Sequence, residues 1–206
     1  MTLLVKICGF GDEETLQAAV DAGVDAVGFV FYEKSPRNLT PERAARLAGI
    51  VPNTVLRVAV TLHPEAALWN EVADALRPDV LQTDIKDFDY LDVDSGITRW
   101  PVLREGSASL QQRLPETFVY EGTRSGQGQT VDWNSAAAIA RQGDMILAGG
   151  LTTANVAGAI RTVRPFGVDV SSAVESEPGK KDIGLITEFV SVARAAGLTM
   201  SERNDS

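Results

Sequence analysis

Short apolar runs alternate with longer segments of helical spacing along the whole chain. Within each short run almost every residue is apolar, which predicts a buried parallel strand. The segments between the runs repeat apolar residues every three or four positions, which predicts helices. The strands are predicted at 3–8, 26–31, 55–62, 80–83, 99–103, 117–121, 145–148 and 168–170. The helices are predicted at 13–22, 41–47, 65–76, around Phe88, and at 108–114, 133–141, 153–163 and 183–195.

Eight successive strand and helix pairs predict one α/β domain over residues 1–198, a closed (β/α)₈ barrel that is small beside the ~250 residues typical of this architecture. An open, doubly wound sheet is the alternative arrangement of the same elements. Residues 199–206 are polar, and we expect them to form a disordered C-terminal tail. Because such barrels carry their active sites at the carboxyl ends of the strands, the residues that end each strand are the candidates for chemistry.

Composition narrows the possible functions. The chain has 206 residues, a net charge of −9, one cysteine and one histidine. The negative charge argues against nucleic acid or an anionic membrane as a partner, and one cysteine with one histidine cannot form a disulfide framework or a familiar zinc site. With no apolar run of about 18 residues and no signal-peptide pattern, we expect a soluble, cytoplasmic protein.

Four predicted strands end in residues that could carry chemistry. These ends are Cys8-Gly9, Glu121-Gly122, Gly149-Gly150 and Ser171-Ser172. Cys8 is either a buried small hydrophobe or a reactive thiol. Since glycine turns and helix N-termini present backbone N–H groups to anions, Gly149, Gly150, Ser171 and Ser172 are candidate phosphate ligands, although the glycine pair could instead serve only to turn the chain.

An ordered set of motifs resembles the phosphoribosylanthranilate isomerase family of tryptophan biosynthesis over residues 5 to 190. The motifs are Lys6-Ile7-Cys8-Gly9, Gly28-Phe29-Val30-Phe31, Ser35-Pro36-Arg37, Gly126-Gln127-Gly128 with Asp132-Trp133, Ala148-Gly149-Gly150-Leu151 with Asn155-Val156, and Val168-Asp169-Val170-Ser171-Ser172 with Val174-Glu175 and Pro178-Gly179-Lys180-Lys181-Asp182. The resemblance implies an Amadori rearrangement of the aminoaldose phosphoribosylanthranilate to the corresponding aminoketose, with no metal or organic cofactor.

The resemblance places the general base at Cys8 and the general acid at Glu121, where the family carries aspartate. A thiol has a reference pKa of about 8.5, and Lys6, which shares a strand face with Cys8, could supply the positive charge that lowers it. If Glu121 were only a solvated strand-end carboxylate, Asp84 or Asp132 could be the acid. Asp132 is better interpreted as the N-cap of the helix that follows it.

Positively charged residues are needed for the anionic substrate. Arg37, in the loop after strand two, is the candidate partner for the anthranilate carboxylate because a guanidinium group matches a carboxylate with two hydrogen bonds. Lys6 and Asp169 are further substrate-binding candidates, and they either form a buried pair or line the mouth of the barrel. His63 is interpreted as a surface loop residue.

Two other positions depart from the family pattern. Ala173 stands where glycine is usual, and Gln82-Thr83-Asp84-Ile85 stands where the family has glutamine, an apolar residue, histidine and glycine. These departures keep open a catalytically silent barrel that binds a phosphorylated metabolite. The histidine-pathway isomerase is a rival but uses an aspartate where this chain has Cys8, and indole-glycerol-phosphate synthase has additional N-terminal helical sequence. We expect a monomer or a homodimer.

Overall fold

The computed structural model describes residues 2–107, 113–123 and 130–202. The barrel strands are β1 (Leu4–Cys8), β2 (Ala26–Phe31), β3 (Leu56–Thr61), β4 (Val80–Asp84), β5 (Thr98–Arg104), β6 (Thr117–Glu121), β7 (Asp144–Leu147) and β8 (Gly167–Val170). The α-helices in these ranges are α1 (Glu13–Asp21), α2 (Pro41–Ala48), α3 (Ala66–Leu76), α4 (Trp133–Ala140), α5 (Val156–Val163) and α6 (Ile183–Glu202).

The eight strands form a closed parallel barrel, as the sequence pattern predicts. Each strand pairs with the next along the chain, and β1 closes the ring by pairing with β8, with Lys6 opposite Asp169. The open-sheet alternative is therefore wrong. Since every strand runs in the same direction, all the strand ends that carry candidate residues lie at one mouth of the barrel.

Alternation along the strands separates an outer core from an inner one. Outward-facing residues such as Val5, Ile7 and Val168 pack in the large cluster that also includes the helices. The inner cluster consists of Ala26, Val58, Val80, Trp100, Val102, Val119, Ile146 and Ala148. Because side chains alternate with a period of two, the residues that continue this inner face toward the carboxyl ends point into the mouth.

Local sequence signals set several helix ends. Thr40 caps α2 through the backbone N–H of Arg43, and Asp132 caps α4 by accepting from the N–H groups of Asn134 and Ser135. The predicted N-cap role of Asp132 is thus confirmed. The fifth helix begins at Val156 rather than at residue 153. This later start follows from the Asn155 side chain, which accepts from Thr152 N and donates to Gly150 O, holding the preceding residues in a turn.

Two features after β8 differ from the prediction. A short 3₁₀ helix (Ser172–Val174) leads into a hairpin of β9 (Glu175–Glu177) and β10 (Lys180–Lys181), which the sequence pattern did not predict. The last helix continues to Glu202, four residues beyond the predicted end of the domain at residue 198. Near this end of the helix Ala196 and Gly197 are buried, and Gly197 lies close against Leu3.

Some expectations lie outside the described residues. They are most of the helix predicted at 108–114, the Gly126-Gln127-Gly128 motif, and the tail from residue 203 onward. Between β4 and β5, where the weak helical pattern around Phe88 lies, the chain forms a 3₁₀ helix (Ile85–Asp89). Among the described residues, no helix has the length and apolar character needed to cross a membrane.

Candidate active site

A cavity of about 760 Å³ opens at the carboxyl ends of the barrel strands. Of the residues predicted as site candidates, those on its lining are Cys8, Arg37, Glu121, Gly149, Gly150, Asp169, Ser171 and Ser172. Lys6 is not a lining residue, because it lies one inward-facing position deeper on β1 and is completely buried. The structure thus brings the thiol, the carboxyl group and both candidate anion-binding turns together around one space.

Cys8 occupies a close-packed position at the end of β1. It is opposite Gly28 of β2, where a Cβ atom would lie 2.8 Å from the Cys8 Sγ, so glycine at this position leaves room for the thiol. Burial raises the pKa of Cys8, and the positive charges of Lys6, Lys181 and Arg37 offset this only in part. The positive charge of Lys6 does lower the pKa of Cys8, as expected, but desolvation raises it by more.

Lys6 and Asp169 form a buried ion pair beneath the cavity. Their Nζ and Oδ1 atoms are 2.9 Å apart, and both side chains are buried. Burial alone would lower the pKa of Lys6, but the negative charge of Asp169 and a smaller contribution from Cys8 outweigh it and raise that pKa. The Lys6 ammonium group therefore stays charged. It contacts the Asp169 carboxylate, which in turn lines the cavity.

Glu121 lies at the end of β6, next to an arginine that the sequence prediction did not include. Arg104 of β5 is its register partner, with 3.3 Å between Arg104 Nε and Glu121 Oε1. The same guanidinium group also contacts Asp84 at the end of β4. Arg104 follows Trp100 and Val102 on the inward face, but the strand was predicted to end at residue 103, one residue too early to include it.

Arg37 reaches the cavity from the loop after β2 and is held by Glu175 of the hairpin. Arg37 Nε and Nη2 donate to the two carboxylate oxygens of Glu175, both at 2.7 Å. Lys181 Nζ donates to Glu175 at 2.7 Å, and Gly179 N donates at 3.1 Å. Burial alone would raise the pKa of Glu175, but these donors outweigh it and lower that pKa, so the carboxylate stays ionised.

The roles of Glu175 and Lys181 were missed although both residues lie in a quoted motif. The Pro178-Gly179 pair within that motif is a turn signal that could have predicted the hairpin. Lys181 is almost completely buried and also donates to the backbone oxygen of Ser171, at 3.0 Å. The hairpin therefore ties the loop after β8 to the loop after β2.

The turns after β7 and β8 both line the cavity. Gly149 and Gly150 adopt φ angles of 85° and 62°, which favour glycine, and the 3₁₀ helix begins at Ser172. Within the described part of the chain, the N–H groups of Gly149, Gly150 and Ser172 donate to no other residue. Three unengaged backbone donors at the rim of one cavity can bind an oxyanion.

His63 follows β3 and lines the cavity, so its interpretation as a surface loop residue describes only part of its position. Its side chain is 61% exposed, but Nδ1 lies 2.7 Å from Oδ1 of the buried Asp87. Asp87 also accepts from His63 N and Thr83 Oγ1, and these contacts hold the loop after β3 against the 3₁₀ helix.

Comparison with known proteins gives a consistent result. A family model described as N-(5'-phosphoribosyl)anthranilate (PRA) isomerase matches residues 5–192. A relative from Geotalea uraniireducens (strain Rf4), named N-(5'-phosphoribosyl)anthranilate isomerase, is 40% identical, with 94% of this chain and 98% of the relative covered. The relative of that name from Pelobacter propionicus is 38% identical, with 92% and 95% covered.

Solved structures agree with this assignment. One is a phosphoribosyl anthranilate isomerase in complex with reduced 1-(o-carboxyphenylamino)-1-deoxyribulose 5-phosphate. It superposes with a TM-score of 0.81 at 33% identity, covering 94% of this chain and all of the other. From the family model, the relatives and the shared fold, we conclude that the chain belongs to the N-(5'-phosphoribosyl)anthranilate isomerase family.

Proposed function

We propose that this chain catalyses the Amadori rearrangement of N-(5'-phosphoribosyl)anthranilate in tryptophan biosynthesis, with Cys8 as general base and Glu121 as general acid. The observation that carries these two roles is the placement of the thiol and the carboxyl group on the lining of one cavity, at the ends of β1 and β6. Names of relatives and of the family model support the overall reaction.

The rearrangement needs two proton transfers at neighbouring positions of the sugar. Glu121 donates a proton to the ring oxygen, and the bond between that oxygen and C1 breaks to leave a protonated imine, in which the nitrogen keeps its hydrogen. Cys8 then removes the proton from C2, and the resulting enolamine tautomerises to the aminoketose. Neither transfer changes the oxidation state of a protein group, and the products keep every atom of the substrate.

Cys8 is mainly protonated while the cavity holds no substrate, because burial raises its pKa. A minor thiolate population still suffices for a base that is intrinsically reactive, and the nearby Lys6 and Lys181 ammonium groups favour that form. The thiolate form of Cys8 is therefore stabilised by the buried lysine ammonium groups and not by hydration.

The substrate carries a phosphate at one end and a carboxylate at the other. We assign the phosphate to the backbone N–H groups around Gly149, Gly150, Ser171 and Ser172, which need no lysine to attract an anion. We assign the anthranilate carboxylate to Arg37. Nε and Nη2 of Arg37 donate to Glu175. Nη1 of Arg37 has no acceptor among the described residues, so we assign the hydrogen bond with the anthranilate carboxylate to this nitrogen.

Substitution of the two proposed proton-transfer groups tests the assignment. Cys8→Ser and Glu121→Gln should each lower kcat by roughly 10² or more, because each removes one acid–base group. Glu121→Asp should retain more activity than Glu121→Gln, since it keeps the carboxyl group and changes mainly its reach. The measurement is consumption of phosphoribosylanthranilate by purified variants whose circular dichroism spectra match that of the unmodified protein.

Two results would contradict the proposal. No turnover by the unmodified protein would indicate a silent barrel that only binds a phosphorylated metabolite. Unchanged turnover by Glu121→Gln, together with an inactive Cys8→Ser, would show that another group is the acid. A cytoplasmic location and a monomeric or homodimeric state stay predictions from the sequence.

A further inference from the structure

Three charged residues end three neighbouring strands of the barrel. Asp84 ends β4, Arg104 ends β5 and Glu121 ends β6. In the strand register Asp84 is opposite Val102, and Arg104 is opposite Glu121. All three residues continue the inward face of their strands, so their side chains meet at the mouth of the barrel.

Arg104 joins the other two residues. One guanidinium nitrogen, Nη1, contacts the Asp84 carboxylate, and a different one, Nε, lies 3.3 Å from Glu121 Oε1. The side chains are only 22% exposed for Arg104 and 13% exposed for both Asp84 and Glu121. At this burial the charges are screened less by water than those of a surface pair, and the ionic contacts constrain the side chains more strongly.

The three residues differ in whether they line the cavity. Arg104 and Glu121 line it, whereas Asp84 does not belong to the lining formed by the described residues. Glu121 is therefore better placed than Asp84 to deliver a proton into the cavity. Its side chain also accepts from Lys86 N and caps the 3₁₀ helix that follows β4, which fixes the carboxylate to the backbone.

We propose that Arg104 is a positioning residue that orients the Glu121 carboxyl group toward the substrate, and that Asp84 anchors Arg104 and offsets its charge. This inference rests on the proposed role of Glu121 as the acid. Glutamate has one more rotatable bond than aspartate, so a longer acid at this strand end needs a partner that restricts it. A misplacement of about 1 Å can cost on the order of 10²-fold in rate.

Arginine suits this position better than lysine. A guanidinium group has donors that diverge in one rigid plane, so it can contact two carboxyl groups from different nitrogens and keep both directions fixed. A lysine ammonium group is a point charge on a flexible chain and cannot impose the same geometry.

Steady-state kinetics on Arg104→Met, Arg104→Lys and Asp84→Asn test the proposal. Arg104→Met should lower kcat about 10-fold or more while KM stays within about threefold, because positioning of the acid affects the chemical step rather than binding. Arg104→Lys should recover only part of the loss. Asp84→Asn keeps a helix-capping side chain and should lower kcat by at least about threefold.

Double variants separate a positioning role from a general structural one. In the Glu121→Gln background, Arg104→Met and Asp84→Asn should each cost less than about twofold, since the group that they orient is already absent. The matched control is Arg57→Met. Arg57 makes a similar two-nitrogen contact with Asp79 across β3 and β4, but at the opposite end of the barrel, and this variant should leave kcat and KM unchanged.

The possible outcomes distinguish this inference from the assignment of the acid. If Glu121→Gln is slow but Arg104→Met turns over as fast as the unmodified protein, the positioning role is overturned and the acid assignment stands. If Glu121→Gln keeps full activity, the acid assignment itself fails. A rise in KM with unchanged kcat in Arg104→Met would make Arg104 a substrate ligand instead. If Arg104→Met does not fold, Asp84→Asn decides, and unchanged kcat in that variant overturns the proposal.

Discussion

Arg37 and Glu175 form a two-hydrogen-bond ion pair that joins the loop after β2 to the hairpin after β8. Both hydrogen bonds measure 2.7 Å, and the Arg37 and Glu175 side chains are only 11% and 3% exposed. Because a bidentate pair fixes the plane of the guanidinium group, Glu175 orients the arginine that we assign to the anthranilate carboxylate.

Arg37→Ala should raise KM for phosphoribosylanthranilate by about 10- to 100-fold, as expected for loss of one charge-assisted hydrogen bond to a ligand carboxylate. Inhibition by inorganic phosphate should stay nearly unchanged, because the phosphate is assigned to the turns after β7 and β8. Both quantities come from one set of inhibition assays. Equal weakening of substrate and phosphate binding would place Arg37 in the phosphate site or show that it acts through folding.

Gly9→Ala should disturb Arg37 without removing it. Gly9 has a φ angle of 89°, and a Cβ atom there would lie 2.4 Å from Arg37 Cδ. We expect KM to rise about 10-fold or less, since the guanidinium group is displaced but still present. Gly23→Ala is the matched control, because its φ angle of 87° carries the same backbone strain but nothing lies within 4 Å of the added carbon. Equal KM values in the two variants would exclude an effect through Arg37.

The reactivity of Cys8 should report its raised pKa. Cys8 is the single cysteine of the chain, so iodoacetamide labels one site. Burial is the main cause of the rise and Lys6 offsets it only in part, so the alkylation rate of the folded protein should reach its midpoint at a higher pH than that of the same protein in urea. A lower midpoint in the folded protein would show that the buried cations outweigh desolvation.

The ion pair of Arg57 and Asp79 should make a small, pH-dependent contribution to stability. Partial burial would raise the pKa of Asp79, but hydrogen bonds from Arg57 outweigh it and lower that pKa below its ordinary value of 3.8. The stabilisation is therefore fully present above the unfolded-state pKa of Asp79 and is lost as the pH falls through its lower folded-state pKa. Asp79→Asn should lower the unfolding free energy by about 0.2–1 kcal/mol at pH 7.

Urea unfolding at pH 7 and pH 3 measures this contribution. The difference between the unmodified protein and Asp79→Asn should shrink at the lower pH, because at pH 3 Asp79 binds a proton more readily in the unfolded chain than in the folded one, and this favours unfolding. A difference that stays constant between the two pH values would mean that the pair acts through packing or hydrogen bonding alone.

The sequence by itself determined the barrel and the end at which its site lies. The bounds predicted for β2 (Ala26–Phe31) and β6 (Thr117–Glu121) match the structure, because continuous apolar runs are interrupted by clear turn and cap signals. Parallel strands in a closed barrel all end on the same side. The strand-end positions of Cys8 and Glu121 therefore already implied that they share one mouth.

Only the tertiary structure decided which charged groups contact one another and which effect controls the thiol. Arg37 and Glu175 are 138 positions apart in the chain, and the hairpin that brings them together was not predicted. Arg104 joins Asp84 to Glu121 because closure of the barrel aligns three strand ends. Periodicity specifies the face and the end of a strand, but a side chain's partners and its desolvation depend on residues distant in sequence, and at Cys8 that desolvation outweighs the charge of Lys6.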